Sequence, residues 1–176
     1  VLEKSLSLLG ATSDDDMVAM AYWEDNNSLP EGETKLISVV GLAADCNTEI
    51  ELKSRQETIG YVKVHVLYRV TELVVEDPLK PMDHATVTYQ NIEGIDLTEL
   101  SVVSDNPLVA TGCVMAASIP MSEEETIHIY TLAEGGSARL TLLNGTNAVC
   151  TVDLTMEYPV TRRTLIVKDE VQTTFE

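Results

Sequence analysis

Gly60-Tyr61-Val62-Lys63-Val64-His65-Val66-Leu67-Tyr68-Arg69-Val70 is the stretch that decides the fold. Val62, Val64, Val66, Tyr68 and Val70 share one face, and Lys63, His65 and Arg69 stand on the other with Tyr61 and Leu67. A period of two puts successive side chains on opposite sides of an extended backbone, so this is a half-buried antiparallel strand. Cys150 to Tyr158 repeats the pattern, with Cys150, Val152, Leu154, Met156 and Tyr158 opposing Thr151, Asp153, Thr155 and Glu157. Shorter versions occur at Glu49–Lys53, Ala85–Tyr89, Thr126–Tyr130 and Ala138–Leu142, and Arg163–Lys168 offers a further strand. Lys35–Leu42 and Leu108–Ala117 are more evenly apolar and read as central strands buried on both sides.

Turn residues separate these runs. Asp25–Gly32, Glu76–Pro81, Ser104–Pro107, Glu134–Gly136 and Asn144-Gly145 carry loop or hairpin signals, the last being the strongest hairpin signal in the chain. Strands at regular spacing without alternating helices predict a sandwich rather than a parallel sheet. Helices are predicted only locally. Asp96 with Glu99 makes a capping-box pattern over Ile95–Val103, Ser122–Glu125 opens another turn, and Thr12–Asp16 caps a helix or strand over Met17–Trp23. No internal repeat is read. The expectation is one all-β domain, residues 1–176, of about eight strands.

Eleven basic against 29 acidic residues give a formal net charge of −18. Phosphate and anionic membrane surfaces need clustered Lys and Arg, so the charge argues against partnership with nucleic acid or membrane. Arg162-Arg163 with Lys168 is the only local basic group. With one Phe and one Trp, the core is aliphatic. No run is long and apolar enough for a membrane-spanning helix. The start at Val1 lacks an initiator Met and a signal-peptide pattern, which suggests a processed or excerpted beginning.

Catalytic patterns are sparse. Cys46, Cys113 and Cys150 form no C-x-x-C, and the last two lie in apolar runs suited to buried free thiols. His65, His84 and His128 lack metal-ligand spacing, although His65 and His128 stand on comparable strand faces and would meet only across a sheet. No nucleophile elbow or phosphate-cradling loop is present, and Gly135-Gly136-Ser137 sits in a hairpin. The protein is therefore expected not to be an enzyme and to need no cofactor, calcium excepted. Calcium takes carboxylate and carbonyl oxygens, which makes Asp14, Asp15, Asp16, Glu123, Glu124, Glu125, Glu76 and Asp77 the candidate calcium or inter-subunit carboxylates. None of them follows the EF-hand pattern. Asn26-Asn27-Ser28 and Asn144-Gly145-Thr146 match the glycosylation sequon.

From Tyr61 to Pro159 the order of elements resembles the jelly-roll coat proteins of small positive-strand RNA viruses. Val62–Val66, a proline-rich turn, Ala85–Tyr89, Ile95–Leu100, the small-residue strand Val109–Cys113, and the closing pair Ala138–Leu142 and Val149–Tyr158 carry it. The resemblance implies a jelly-roll sandwich, a structural capsid subunit or outer-shell domain in the virion, and copies of itself or other capsid chains as partners. Such coats often carry an Arg-rich arm, whereas the first sixteen residues here hold four acids and one Lys. The same deficit weighs against the related movement proteins. Two other readings stand beside it: an immunoglobulin-like or appendage binding domain using loops Asp25–Gly32 and Glu76–Asp83, and a filament or adhesin subunit completed by a donated strand.

Overall fold

The computed structural model of the chain describes residues 5–24 and 28–158. The predicted strand Arg163–Lys168 lies outside the described residues. The first half holds β1 (Leu6–Ser7), β2 (Leu9–Ser13), β3 (Ala19–Trp23), β4 (Ser28–Leu29), β5 (Ile37–Gly41), β6 (Cys46–Ser54) and β7 (Glu57–Val66). The second holds β8 (Thr71–Val74), β9 (His84–Gln90), β10 (Leu100–Ser104), β11 (Ala110–Val114), β12 (Glu124–Thr131), β13 (Gly136–Asn144) and β14 (Asn147–Met156).

In the second half, a four-stranded sheet in the order β10-β13-β14-β8 faces a three-stranded sheet in the order β11-β12-β9. Every pairing is antiparallel except that of β8 with β14. The period-two stretch from Cys150 supplies the centre of the larger sheet, and its register holds: Cys150, Val152, Leu154 and Met156 all face the core. Leu140 and Leu142 lie beside them, and Tyr89, Ile127, Ile129 and Ala110 close the core from the other sheet. Burying each large aliphatic side chain stabilises by roughly 1.5–3 kcal/mol. Asn144-Gly145 turns β13 into β14 as expected, with Gly145 at φ 60°.

The all-β sandwich is borne out, but the jelly roll is replaced. Three strands face four, with β8 parallel to β14, which differs from the paired four-stranded sheets of a jelly roll. The short helices are also replaced, since no helix occurs among the described residues. Leu97 bridges Ile119, Leu100, Val102 and Ser104 alternate inward along β10, and Thr98 N and Glu99 N donate to Asn144 Oδ1, so the backbone of Ile95–Val103 bonds outside any helix. Met17–Trp23 is a turn running into β3, and Ser122, at φ 65°, turns the chain into β12. Leu108–Ala117 is not a central strand among the described residues. β11 lies at a sheet edge with Leu108 and Met115 exposed, and among the described residues β5 pairs with β3 alone, with Leu36, Val39 and Val40 exposed.

A repeat also emerges where none is read from the sequence. Leu9-x-x-x-Ser13-Asp14-x-x-Met17-Val18-Ala19 returns as Leu100-x-x-x-Ser104-Asp105-x-x-Leu108-Val109-Ala110. The pairings return with it. Cys46↔Val66 and Ser54↔Glu57 in β6–β7 match Gly136↔Met156 and Asn144↔Asn147 in β13–β14. Both hairpins have their irregularity at equivalent places, Leu52/Lys53 and Leu142/Leu143. Ala19↔Gly41 and Trp23↔Ile37 match Ala110↔Thr131 and Val114↔Ile127. Asp14 N donates to Glu49 O as Asp105 N donates to Arg139 O. The two halves of the chain thus repeat one arrangement of strands, as a first and a second unit. In the first, β2, β3, β5, β6 and β7 stand where β10, β11, β12, β13 and β14 stand in the second.

Candidate functional site

The joint between the units is a dense polar assembly of described residues. β5 ends at Gly41, β6 begins at Cys46 and β7 ends at Val66, so one end of the first unit presents 42–45 and 67–70. The second unit meets it with 91–94, which follow β9, and with Asn144 at the end of β13. Glu93 is 3% exposed, and its Oε2 accepts from Arg69 N at 2.9 Å. Its carbonyl accepts from Ala44 N at 2.8 Å, and its own N–H donates to Asn91 Oδ1 at 3.0 Å. Asn91 is itself buried and donates through Nδ2 to the carbonyls of Ile95, Ile119 and Pro120, locking the loop to the sandwich.

Gly94 completes the contact. It has φ 72°, and a Cβ there would lie 1.7 Å from the Leu42 carbonyl oxygen, so only glycine lets the two backbones approach. On the other side of the linker, Asn144 Nδ2 donates to Tyr68 Oη at 3.0 Å, while its Oδ1 accepts from Thr98 N and Glu99 N. Desolvation pushes the Glu93 carboxyl above the usual carboxylate range, and the amide and charge of Arg69 pull it partly back. Glu93 Oε1 is buried without a hydrogen-bond partner. A buried acceptor in that state costs about 1–3 kcal/mol.

The acidic candidates are not brought together. Asp14, Asp15 and Asp16 form the turn between β2 and β3, where Asp15 Oδ1 accepts from Met17 N at 3.0 Å. Glu123, Glu124 and Glu125 lead into β12, and Glu76-Asp77 follow β8. Among the described residues, no group of three or more His, Cys, Asp or Glu is placed to hold a metal ion.

The histidines meet differently from the sequence expectation. His65 Nδ1 contacts Asn47 Oδ1 at 3.0 Å, its register partner on β6. His84 and His128 pair instead, with Nε2 and Nδ1 3.1 Å apart and rings stacked at 5.3 Å, and Tyr130 stacks on His84 at 4.9 Å. The three cysteines are free, and burial pushes the Cys150 thiol up to about 11. On the outer face of the second unit, Arg139 binds Asp153 through two bonds of 2.6 and 2.7 Å, which holds the Asp153 carboxyl below its ordinary range.

Glu93, Asn91 and Gly94 carry no motif and were not singled out from the sequence. The signal that leads to them is the repeat, because a repeated unit implies a junction.

No protein-family model matches the chain, and no curated protein matches it. Among solved structures it is similar to domains 4 and 5 of the S-layer protein SbsC, at 18% identity, covering 85% of this chain and 70% of that one with TM-score 0.37. It is similar to FdeC, an Escherichia coli adhesin, at 15% identity, covering 87% and 52% with TM-score 0.39. A glycosyl hydrolase family 2 member from Bacteroides cellulosilyticus is similar at 14% identity, covering 79% and 21% with TM-score 0.33. The chain corresponds to a part of each.

Proposed function

We propose that the chain is a non-enzymatic structural segment, built of immunoglobulin-like sandwiches in series, whose joint fixes the spacing and angle between units. The observation that carries this is the closure of the joint by Glu93, Arg69, Ala44, Gly94 and Leu42. A swivelling linker would leave these backbone groups to water, whereas here they bond across the junction. The groups with chemical potential elsewhere are ill-suited to catalysis. Cys150 is buried with a raised pKa, and a thiol is nucleophilic only as the thiolate. A coat-shell subunit is not carried forward, because the sheet order is not that of a jelly roll.

Small-angle X-ray scattering of the full chain tests the reading. The expected result is an elongated particle with one narrow inter-unit distance. Gly94→Ala should broaden that distance, since its Cβ drives Leu42 away. A wild-type distribution as broad as the variant's would overturn the fixed joint.

A further inference from the structure

The outer face of the β11-β12-β9 sheet carries a side-chain cluster that neither the core nor the joint uses. Ile127 and Ile129 point inward from β12, so His128 and Tyr130 stand on its outward side. In the register His128 faces Thr86 and Tyr130 faces His84, which places His84 on β9 diagonal to His128. Diagonal neighbours on one sheet face are within reach of ring side chains. Here they meet. His84 Nε2 and His128 Nδ1 are 3.1 Å apart, and the Tyr130 ring packs on His84 with centroids 4.9 Å apart. The backbone beneath is pinned as well: Asp83 Oδ1 accepts from His84 N at 2.9 Å, and Asp83 N donates to Thr131 Oγ1 at 2.7 Å.

The repeat shows that the fold does not require this pair. Ile37 and Val39 on β5 stand where Ile127 and Ile129 stand on β12, so those positions stay aliphatic in both units. The alternate positions change their chemistry, with Ser38 and Val40 in the places of His128 and Tyr130. A pair kept for packing would recur with the packing.

Two imidazole nitrogens at this distance suit a shared metal ion. Zinc–nitrogen bonds are about 2.0–2.1 Å, so two nitrogens on one ion stand about 2.9 Å apart at a right angle and about 3.3 Å apart at the tetrahedral angle. The 3.1 Å found lies between the two. In the pair as it stands, an N–H of one ring donates to the bare nitrogen of the other. A metal ion takes the place of that proton when the rings turn to aim both lone pairs at it, and the exposure of His84 leaves room for the turn. Imidazole nitrogen selects zinc, copper or nickel, whereas calcium and magnesium take oxygen. The formal charge of −18 draws cations to the surface in general.

We propose that His84 and His128 chelate a divalent transition-metal ion of the zinc, copper or nickel kind through Nε2 and Nδ1, with water completing its coordination. The ion ties β9, an edge of its sheet among the described residues, to β12. Two protein ligands, in place of the four of a structural zinc site, make this an exchangeable clamp and not a folding centre.

Nickel(II) is the probe, because the free thiols do not reduce it. Titrated into the isotope-labelled full chain, it should broaden the amide signals of His84–Thr86 and His128–Tyr130 first, and calorimetry should show one micromolar site. His84→Asn and His128→Asn should each weaken that site about tenfold or more, since a lone imidazole loses the chelate. His65→Asn, on β7 beside Asn47, should change nothing. Both cluster histidines face outward, so the variants keep the fold, which unchanged signals away from the site verify. Nickel should raise the thermal midpoint of the wild type and of neither cluster variant. Broadening centred on Asp14–Asp16, Glu123–Glu125 or His65, or an affinity that either cluster variant leaves unchanged, would overturn the inference.

Discussion

Glu93 is the residue on which the joint turns. Its folded pKa is raised by desolvation, so the folded protein holds a proton there more tightly than the unfolded chain does. By linkage, its contribution favours folding below the ordinary carboxylate range and is lost as pH rises through the raised value. Tyr89, also buried, and Arg69 face it, and of these only Arg69 opposes the shift. Urea unfolding between about pH 4.5 and pH 7.5 should therefore lose stability with rising pH at this site. Glu93→Gln keeps the acceptor oxygen and removes the titration. Its stability should vary less with pH than that of the wild type, and equal slopes would show that Glu93 stays ionised. Residue-scale legibility was low here. A lone Glu in Asn91-Ile92-Glu93-Gly94 looks like a solvated turn, and its burial depends on Leu42–Ala44, distant in sequence.

At the scale of elements, equivalent strands carry unequal loads. Leu140 on β13 and Ile50 on β6 occupy the same register position, and both are fully buried. Leu140 sits in the large aliphatic cluster between two sheets. Ile50 belongs to a unit whose buried apolar set is otherwise Leu9, Val18, Ala19, Trp23, Ala43 and Ala44 among the described residues. Leu140→Ala should cost about 2–5 kcal/mol, with Ile50→Ala towards the lower end of that range, as read by denaturant midpoints at constant slope. Equal losses would mean that the first unit packs as well as the second. The strands themselves were well legible, because side-chain alternation is written into each segment. Centrality was not. Leu108–Ala117 is as apolar as a central strand, yet β11 lies at a sheet edge among the described residues. Apolarity reports a preference for burial, while the partner that grants it lies elsewhere in the chain or in another molecule.

For the whole molecule, two units with unequal buried cores predict two stabilities. Among the described residues, the first has a two- and a three-stranded sheet with a small buried set, and the second has four- and three-stranded sheets over one large core. Native-state hydrogen exchange should keep β12, β13 and β14 protected longest, with β3 and β5 opening earlier as a separate unit. A single shared opening free energy would show that the joint makes the units one cooperative body. The sequence by itself determined the class: strands of period two, the Asn144-Gly145 hairpin, an aliphatic core, and a sandwich in place of a parallel sheet. These are local properties, set by how each side chain faces along its own backbone. Only the tertiary structure decided that three strands face four, that β8 runs parallel to β14, that Ile95–Val103 is extended despite its helix cap, and that the architecture occurs twice around a buried Glu93. Each of these depends on pairing between residues far apart in the chain, where backbone hydrogen bonds and desolvation outweigh local preference.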